Sequence, residues 1–202
     1  MIALNIVLAS ASPRRKELLG KIVSEFQIIP SKCEEIIPDD IDSIEVAEYL
    51  AFQKAVDVWK EHKDDLVIGS DTVVILDGKI LGKPKDKDDA VRMLQELSGK
   101  EHKVVTGVAI MTSKESSSFS CTTKVKFSKM TECEIEWYVA SAEPMDKAGA
   151  YGIQGLGGIF VEGIIGDYFN VMGLPINLLY STLKNICPEK LITQKCCWEC
   201  EN

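Results

Sequence analysis

From Leu4 to Ala9 the chain is apolar apart from Asn5, and it then breaks at Ser10-Ala11-Ser12-Pro13 before the charged stretch Arg14-Arg15-Lys16-Glu17-Leu18-Leu19. An apolar run without alternation suits a strand covered on both faces, which requires a sheet with helices packed against it. Ser12 is placed to cap the helix that follows, and Pro13 suits its first position.

The rest of the chain continues that alternation. Phe26 to Pro30 reads as a short strand, followed by an acidic loop from Glu34 to Asp42. Asp42 and Glu45 have capping-box spacing for a helix reaching about His62, with Ala47, Leu50, Ala51, Ala55 and Val58 on one face. Leu66 to Leu76 predicts a strand, and Asp77-Gly78 before Lys79-Ile80-Leu81 predicts a hairpin. A helix over Asp88 to Ser98 can end at Gly99, and Val104 to Met111 predicts the next strand. Ser113 to Ser120 reads as a polar loop before a strand at Thr123 to Phe127. Thr131 and Glu134 form a second capping box, for a helix to about Ala142. Beyond Gly149, Ile159-Phe160-Val161 and Phe169-Asn170-Val171 read as strands around a Gly166-Asp167 turn, and Pro175 starts a last helix. No repeat or linker marks a boundary. The expected class is α/β, a mixed sheet with flanking helices.

At 202 residues the chain can form one well-buried domain or two lobes sharing a core. No apolar run approaches the roughly 20 residues that span a bilayer, and the apolar start lacks a basic region before it. A cytoplasmic protein without a membrane partner is expected. The net charge of −8 argues against gripping a nucleic acid polymer, yet leaves room for a small phosphorylated ligand bound by a local basic cluster. Of the seven cysteines, Cys33, Cys121, Cys133 and Cys187 are scattered singly, which suggests free thiols. Cys196, Cys197 and Cys200 lie in a terminal stretch read as loosely ordered, because zinc would want a second pair or nearby histidines.

Four places could carry chemistry. Ser10-Ala11-Ser12-Pro13-Arg14-Arg15 brings two hydroxyls to a helix start, where unpaired N–H groups favour an anion, and adds two guanidinium forks suited to phosphate. Equally, Ser12 could only cap the helix and the arginines could be solvated. In Gly69-Ser70-Asp71-Thr72, Asp71 is costly to bury without partners. It could hold Mg²⁺ or accept a proton from water, or be a paired structural aspartate. Lys54 lies towards the apolar side of its helix, and either snorkels to water or reaches an enclosed phosphate. Lys83, between Gly82 and Pro84, sits in a rigid turn suited to phosphate, or is a plain loop lysine. Glycines 152, 155, 157 and 158 do not follow a first strand or open a helix, so they are not a dinucleotide fingerprint. The sequence has no P-loop and no nucleophile elbow.

Taken together, these motifs resemble the Maf family of nucleotide pyrophosphatases. The residues carrying the likeness are Leu8 to Arg15, Gly69-Ser70-Asp71-Thr72, Gly82-Lys83-Pro84 and the run Glu143-Pro144-Met145-Asp146-Lys147-Ala148-Gly149-Ala150-Tyr151-Gly152-Ile153-Gln154-Gly155. The match runs from about residue 4 to about residue 185. A Maf-like domain over 1–187 and a cysteine-containing tail over 188–202 are therefore expected.

The resemblance implies two lobes around a deep cleft, a fold similar to inosine triphosphate pyrophosphatases, and usually a homodimer. It implies cleavage between the α and β phosphates of a nucleotide with a divalent cation, Mg²⁺ or Mn²⁺. By position, Ser10, Ser12, Arg15, Lys54 and Lys83 would hold the triphosphate, and Asp71 would accept the proton of the attacking water. Glu35, or its neighbour Glu34, would join Asp71 in holding the metal. Arg14, Thr72 and Gln154 match positions tied to base choice in the subgroup acting on dTTP and UTP, where a glutamine can offer the donor and acceptor that a pyrimidine edge needs. The Maf-like domain of acetylserotonin methyltransferase-like proteins is a further likeness, but 202 residues leave no room for a methyltransferase. The rival reading is a non-catalytic protein that senses nucleotides or regulates cell division.

Overall fold

The computed structural model of the chain describes residues 4–193. β1 (Ile6–Leu8) is fully buried and leads into α1 (Pro13–Leu19). Ser12 Oγ accepts the Arg15 backbone N–H at 3.4 Å, and Pro13 begins the helix, where a missing N–H costs nothing. β2 (Gln27–Ile28), α2 (Val46–Trp59), the long strand β3 (Leu66–Leu76) and its hairpin partner β4 (Lys79–Leu81) follow. After α3 (Lys87–Leu97) come the long strands β5 (Glu101–Met111) and β6 (Ser116–Phe127), then α4 (Glu132–Ala140). β7 (Val161–Ile165), α5 (Tyr168–Met172) and α6 (Ile176–Ile186) lie beyond three short 3₁₀ turns.

The strands form one mixed sheet in the order β2-β1-β3-β5-β6-β7, with β4 beside β3. β1 runs parallel to β2 and β3, and the other pairs are antiparallel. One edge of β3 pairs continuously with β5 over residues 67–75. Its other edge pairs with β1 over 66–68 and with β4 over 74–76. Between them, among the described residues, no strand covers that edge. The sheet opens at this gap and two lobes diverge. One is built around Leu8, Leu18, Ile68, Ile110 and Leu179; the other around Val74, Leu94, Val104, Phe127 and Tyr138. β3 and β5 supply residues to both.

On the opposite face α2 lies unusually close to the sheet. A Cβ on Gly69 would fall 2.2 Å from the Ala51 carbonyl oxygen, and one on Gly107 would fall 2.3 Å from that of Ala47. Small residues on both surfaces permit this approach, and Lys54 is carried with the helix to the open edge of β3.

The Asp77-Gly78 hairpin and the Thr131–Glu134 capping box form as expected, the hairpin with both turn residues at positive φ. Other readings are corrected. Ser116 to Ser120 is not loop but the first part of β6, because β5 offers a full-length ladder and Ser116, Ser118 and Ser120 alternate outward on its exposed face. Ile159 and Phe160 belong to a 3₁₀ turn, Leu156–Phe160, and the strand is β7. Phe169 to Val171 is helical: Asp167 Oδ1 accepts the Phe169 N–H at 2.8 Å and Gly173 closes α5 in the left-handed region. No capping box joins Asp42 and Glu45; Asp42 Oδ1 takes the Ile44 N–H at 3.0 Å, and α2 runs only to Trp59.

Cys33, Cys121, Cys133 and Cys187 are free thiols, while Cys196, Cys197 and Cys200 lie outside the described residues. The chain stays docked past Cys187, with Leu191 buried and bridged to Val23. No helix among the described residues is long and apolar enough to cross a membrane.

Candidate active site

A cleft of about 690 Å³ occupies the gap beside β3. Ser10, Ser12, Arg14, Arg15, Glu35, Lys54, Asp71, Thr72, Lys83 and Gln154 all line it. Side chains alternate along a strand, so Asp71 lies on the α2 side of β3 while Ser70 and Thr72 lie on the lobe side. The cleft therefore wraps around a bare strand edge and is furnished from both faces of the sheet.

On the α2 side, Lys54 Nζ pairs with Asp71 Oδ1 and, at 2.8 Å, with Glu35 Oε1. The Lys54 and Asp71 side chains are 16% and 14% exposed, so the near-buried aspartate has the cationic partner that its position demands. Glu35 stands on a loop that α2 holds on both sides. Asp57 Oδ2 accepts the Ser31 hydroxyl at 2.8 Å and the Lys32 and Cys33 N–H groups at 3.0 and 3.1 Å. Gln53 Nε2 donates to the Ile36 carbonyl at 2.8 Å. The Ser31 bond and then the Lys32 N–H hold the Asp57 carboxyl below its ordinary range. Of the two candidate glutamates, Glu35 is the one that meets Lys54 and lines the cleft.

On the lobe side, Arg15 is pinned in three directions. Its Nε donates to the Gly173 carbonyl at 2.9 Å, Nη1 to Ser10 Oγ at 3.1 Å and Nη2 to Thr72 Oγ1 at 3.0 Å. Thr106 donates to the Asn170 carbonyl at 2.9 Å, so the 3.0 Å contact between the threonine hydroxyls runs from Thr72 to Thr106. The hydrogen bonds thus have one direction, Arg15 to Thr72 to Thr106 to the α5 backbone. Burial lowers the Arg15 pKa, with Asp71 pulling it back up; a guanidinium remains charged regardless.

The rim comes from the second lobe. Gly149 N–H donates to the Gly82 carbonyl at 3.0 Å and ties the Gly82-Lys83-Pro84 turn to the lobe. Arg14 lies 3.5 Å from Asp146, which also receives Lys147 at 2.6 Å. Gln154 is exposed on the loop that follows Gly152.

The family model described as "Maf-like protein" matches residues 5–186. The chain belongs to the Maf family. Relatives agree across nearly the whole length. A protein of Clostridium botulinum (strain Kyoto / Type A2) named dTTP/UTP pyrophosphatase is 55% identical over 188 residues, covering 89% of this chain and 95% of its own. One of Bacillus cereus (strain B4264), with the same name, is 50% identical over 179 residues, covering 89% and 94%. Among solved structures, the Staphylococcus aureus Ham1 protein shares the fold at a TM-score of 0.52 and 18% identity, covering 90% of this chain and 98% of that one.

Some residues in and behind the cleft of this Maf chain show their part only in three dimensions. Asp146 and Lys147 were visible only as part of a family motif, and the structure adds them to the cleft wall. Thr106, Asn170 and Asp57 carried no local signal, because each acts through partners 24 to 66 positions away. Glu35 and Asp71 are the carboxylates of the cleft that could hold a divalent cation. Glu35 and Asp71 share one ammonium, and no group of three or more His, Cys, Asp or Glu capable of holding a metal exists among the described residues. With only two carboxylates, such an ion would be one like Mg²⁺, which would complete its shell with water and phosphate oxygens.

Proposed function

We propose that this Maf protein hydrolyses dTTP and UTP to the nucleoside monophosphate and pyrophosphate, working as a cytoplasmic homodimer. The observation that carries the reading is the convergence, around one bare strand edge, of Asp71 with three cations carried on separate elements: Arg15, Lys54 and Lys83. The names of the relatives support the substrate choice.

Cleavage between the α and β phosphates needs charge neutralisation and an aligned water more than an elaborate nucleophile. Asp71 accepts the proton of the water that attacks the α phosphorus, and the bond to the bridging oxygen breaks to free pyrophosphate. Arg15 and Ser10 meet phosphate oxygens from the first lobe, with Ser12 beside them at the helix start. Lys83 meets them from the second. Lys54 holds Asp71 and Glu35 in place and offers its remaining hydrogen to the substrate. A bound Mg²⁺ or Mn²⁺, held by Glu35 and Asp71, would neutralise phosphate charge. Arg14, Thr72 and Gln154 select the base: Gln154 offers a donor and an acceptor to a pyrimidine edge, and Thr72 acts through Arg15.

The test is pyrophosphate release from a panel of nucleoside triphosphates with Mg²⁺ or Mn²⁺. Selective release from dTTP and UTP is expected, with Asp71→Asn lowering turnover at least about 100-fold while the protein stays folded. Release from purines alone would overturn the base assignment. Nucleotide binding without turnover would favour the sensor reading.

A further inference from the structure

The glycine-rich stretch after Ala150 has a physical cause. The Glu143 carboxylate is enclosed by it: Oε2 accepts the Leu156 N–H at 2.9 Å, and Oε1 accepts the Gly157 N–H at 3.2 Å and the Tyr138 hydroxyl at 2.8 Å. The Tyr138 oxygen in turn accepts the Gly152 N–H at 3.1 Å. Three backbone N–H groups, on both sides of Gln154, thus end on one phenol–carboxylate pair. The glycines make room for it. A Cβ on Gly155 would lie 2.5 Å from both Glu143 oxygens, and one on Gly157 would lie 2.5 Å from the Tyr138 oxygen. Tyr138 is wholly buried on α4, so the pair is built into the second lobe and not draped over it.

The Gln154 side chain makes no hydrogen bond of its own among the described residues, so its place in the cleft is set by the backbone on either side. An amide discriminates between bases only while its donor and acceptor are held to within about 0.5 Å of the productive geometry. We infer that Tyr138 and Glu143 are positioning residues for base selection: they fix the span that presents Gln154 to a pyrimidine nucleoside triphosphate. This inference rests on the pyrophosphatase reading above. It adds two residues that do not line the cleft.

The experiment compares Tyr138→Phe, Glu143→Gln and Gly155→Ala with the wild type. Gly155→Ala keeps both polar side chains but puts a methyl group against the carboxylate, at a backbone φ of −108° that alanine tolerates. For each folded variant, kcat/KM is measured for dTTP, CTP and GTP, together with inhibition by inorganic tripolyphosphate, which has no base. The preference for dTTP over CTP and GTP should fall about tenfold. Tripolyphosphate inhibition should stay within about twofold, because Arg15 and Lys54 stand on other elements. Folded variants that keep wild-type selectivity would overturn the inference and leave the pyrophosphatase reading intact. A parallel loss of tripolyphosphate inhibition would also overturn it, by showing that the pair merely supports the scaffold. A wild type without base preference would remove the pyrimidine reading, and this inference with it.

Discussion

His102 is 2% exposed on β5, with Nε2 2.8 Å from the Tyr151 hydroxyl and its ring edge-on to those of Phe127 and Tyr151. Burial pushes its pKa down to about 4, from an ordinary 6.5. The fold thus favours the neutral ring, and an unfolded chain takes up the proton first as pH falls. The stabilisation is complete above pH 6.5 and is lost progressively towards pH 4, amounting to about 2 kcal/mol between pH 6.5 and pH 5. Urea unfolding at the two pH values should show that loss in the wild type and a smaller one in His102→Leu. Equal losses would assign the acid sensitivity to other groups. Arg15 contrasts with His102, since it keeps its charge and is satisfied by Ser10, Thr72 and Gly173. The sequence displayed Arg14-Arg15 openly. The Thr72 partner, 57 positions away, became visible only in three dimensions.

At the scale of elements, α2 owes its position to two glycines. Gly107→Ala would drive a methyl group into the Ala47 carbonyl, 2.3 Å away, with backbone on both sides of the clash. We expect a loss of about 3 kcal/mol in unfolding free energy, and reduced turnover even where the protein folds, because Lys54 would retreat from Asp71. Denaturant unfolding and pyrophosphate release check the two parts. Strands and helices with strong patterning, such as β3, α3 and the capped α4, were legible from sequence. The failures have local reasons. Serines 116–118 have low strand preference and predict a loop on their own, although the neighbouring ladder decides their state. Phe169-Asn170-Val171 looked like a strand by composition, while Asp167 and Gly173 already marked the ends of a short helix. All ten candidate residues reached one cleft, since motif order had grouped them. Their division between the two faces of the sheet follows from strand parity at Asp71 and Thr72, but could not be used until the open edge was known.

For the whole molecule, β3 and β5 belong to both lobes, so neither lobe can move without twisting them. Binding of a nonhydrolysable dTTP analogue should slow hydrogen exchange at residues 82–85 and 152–157 and leave β5 residues 104–108 unchanged. Protection spread evenly over β5 would argue instead for a general tightening. The bare edge of β3 has a mechanical side. Residues 69–73 lie where the shared strands pass from one lobe to the other, which makes them the axle of any closure. Arg15 stands on one arm, and Lys83 and Gln154 stand on the other. Asp71, on the axle, would keep its place while the two jaws of the cleft turned about it.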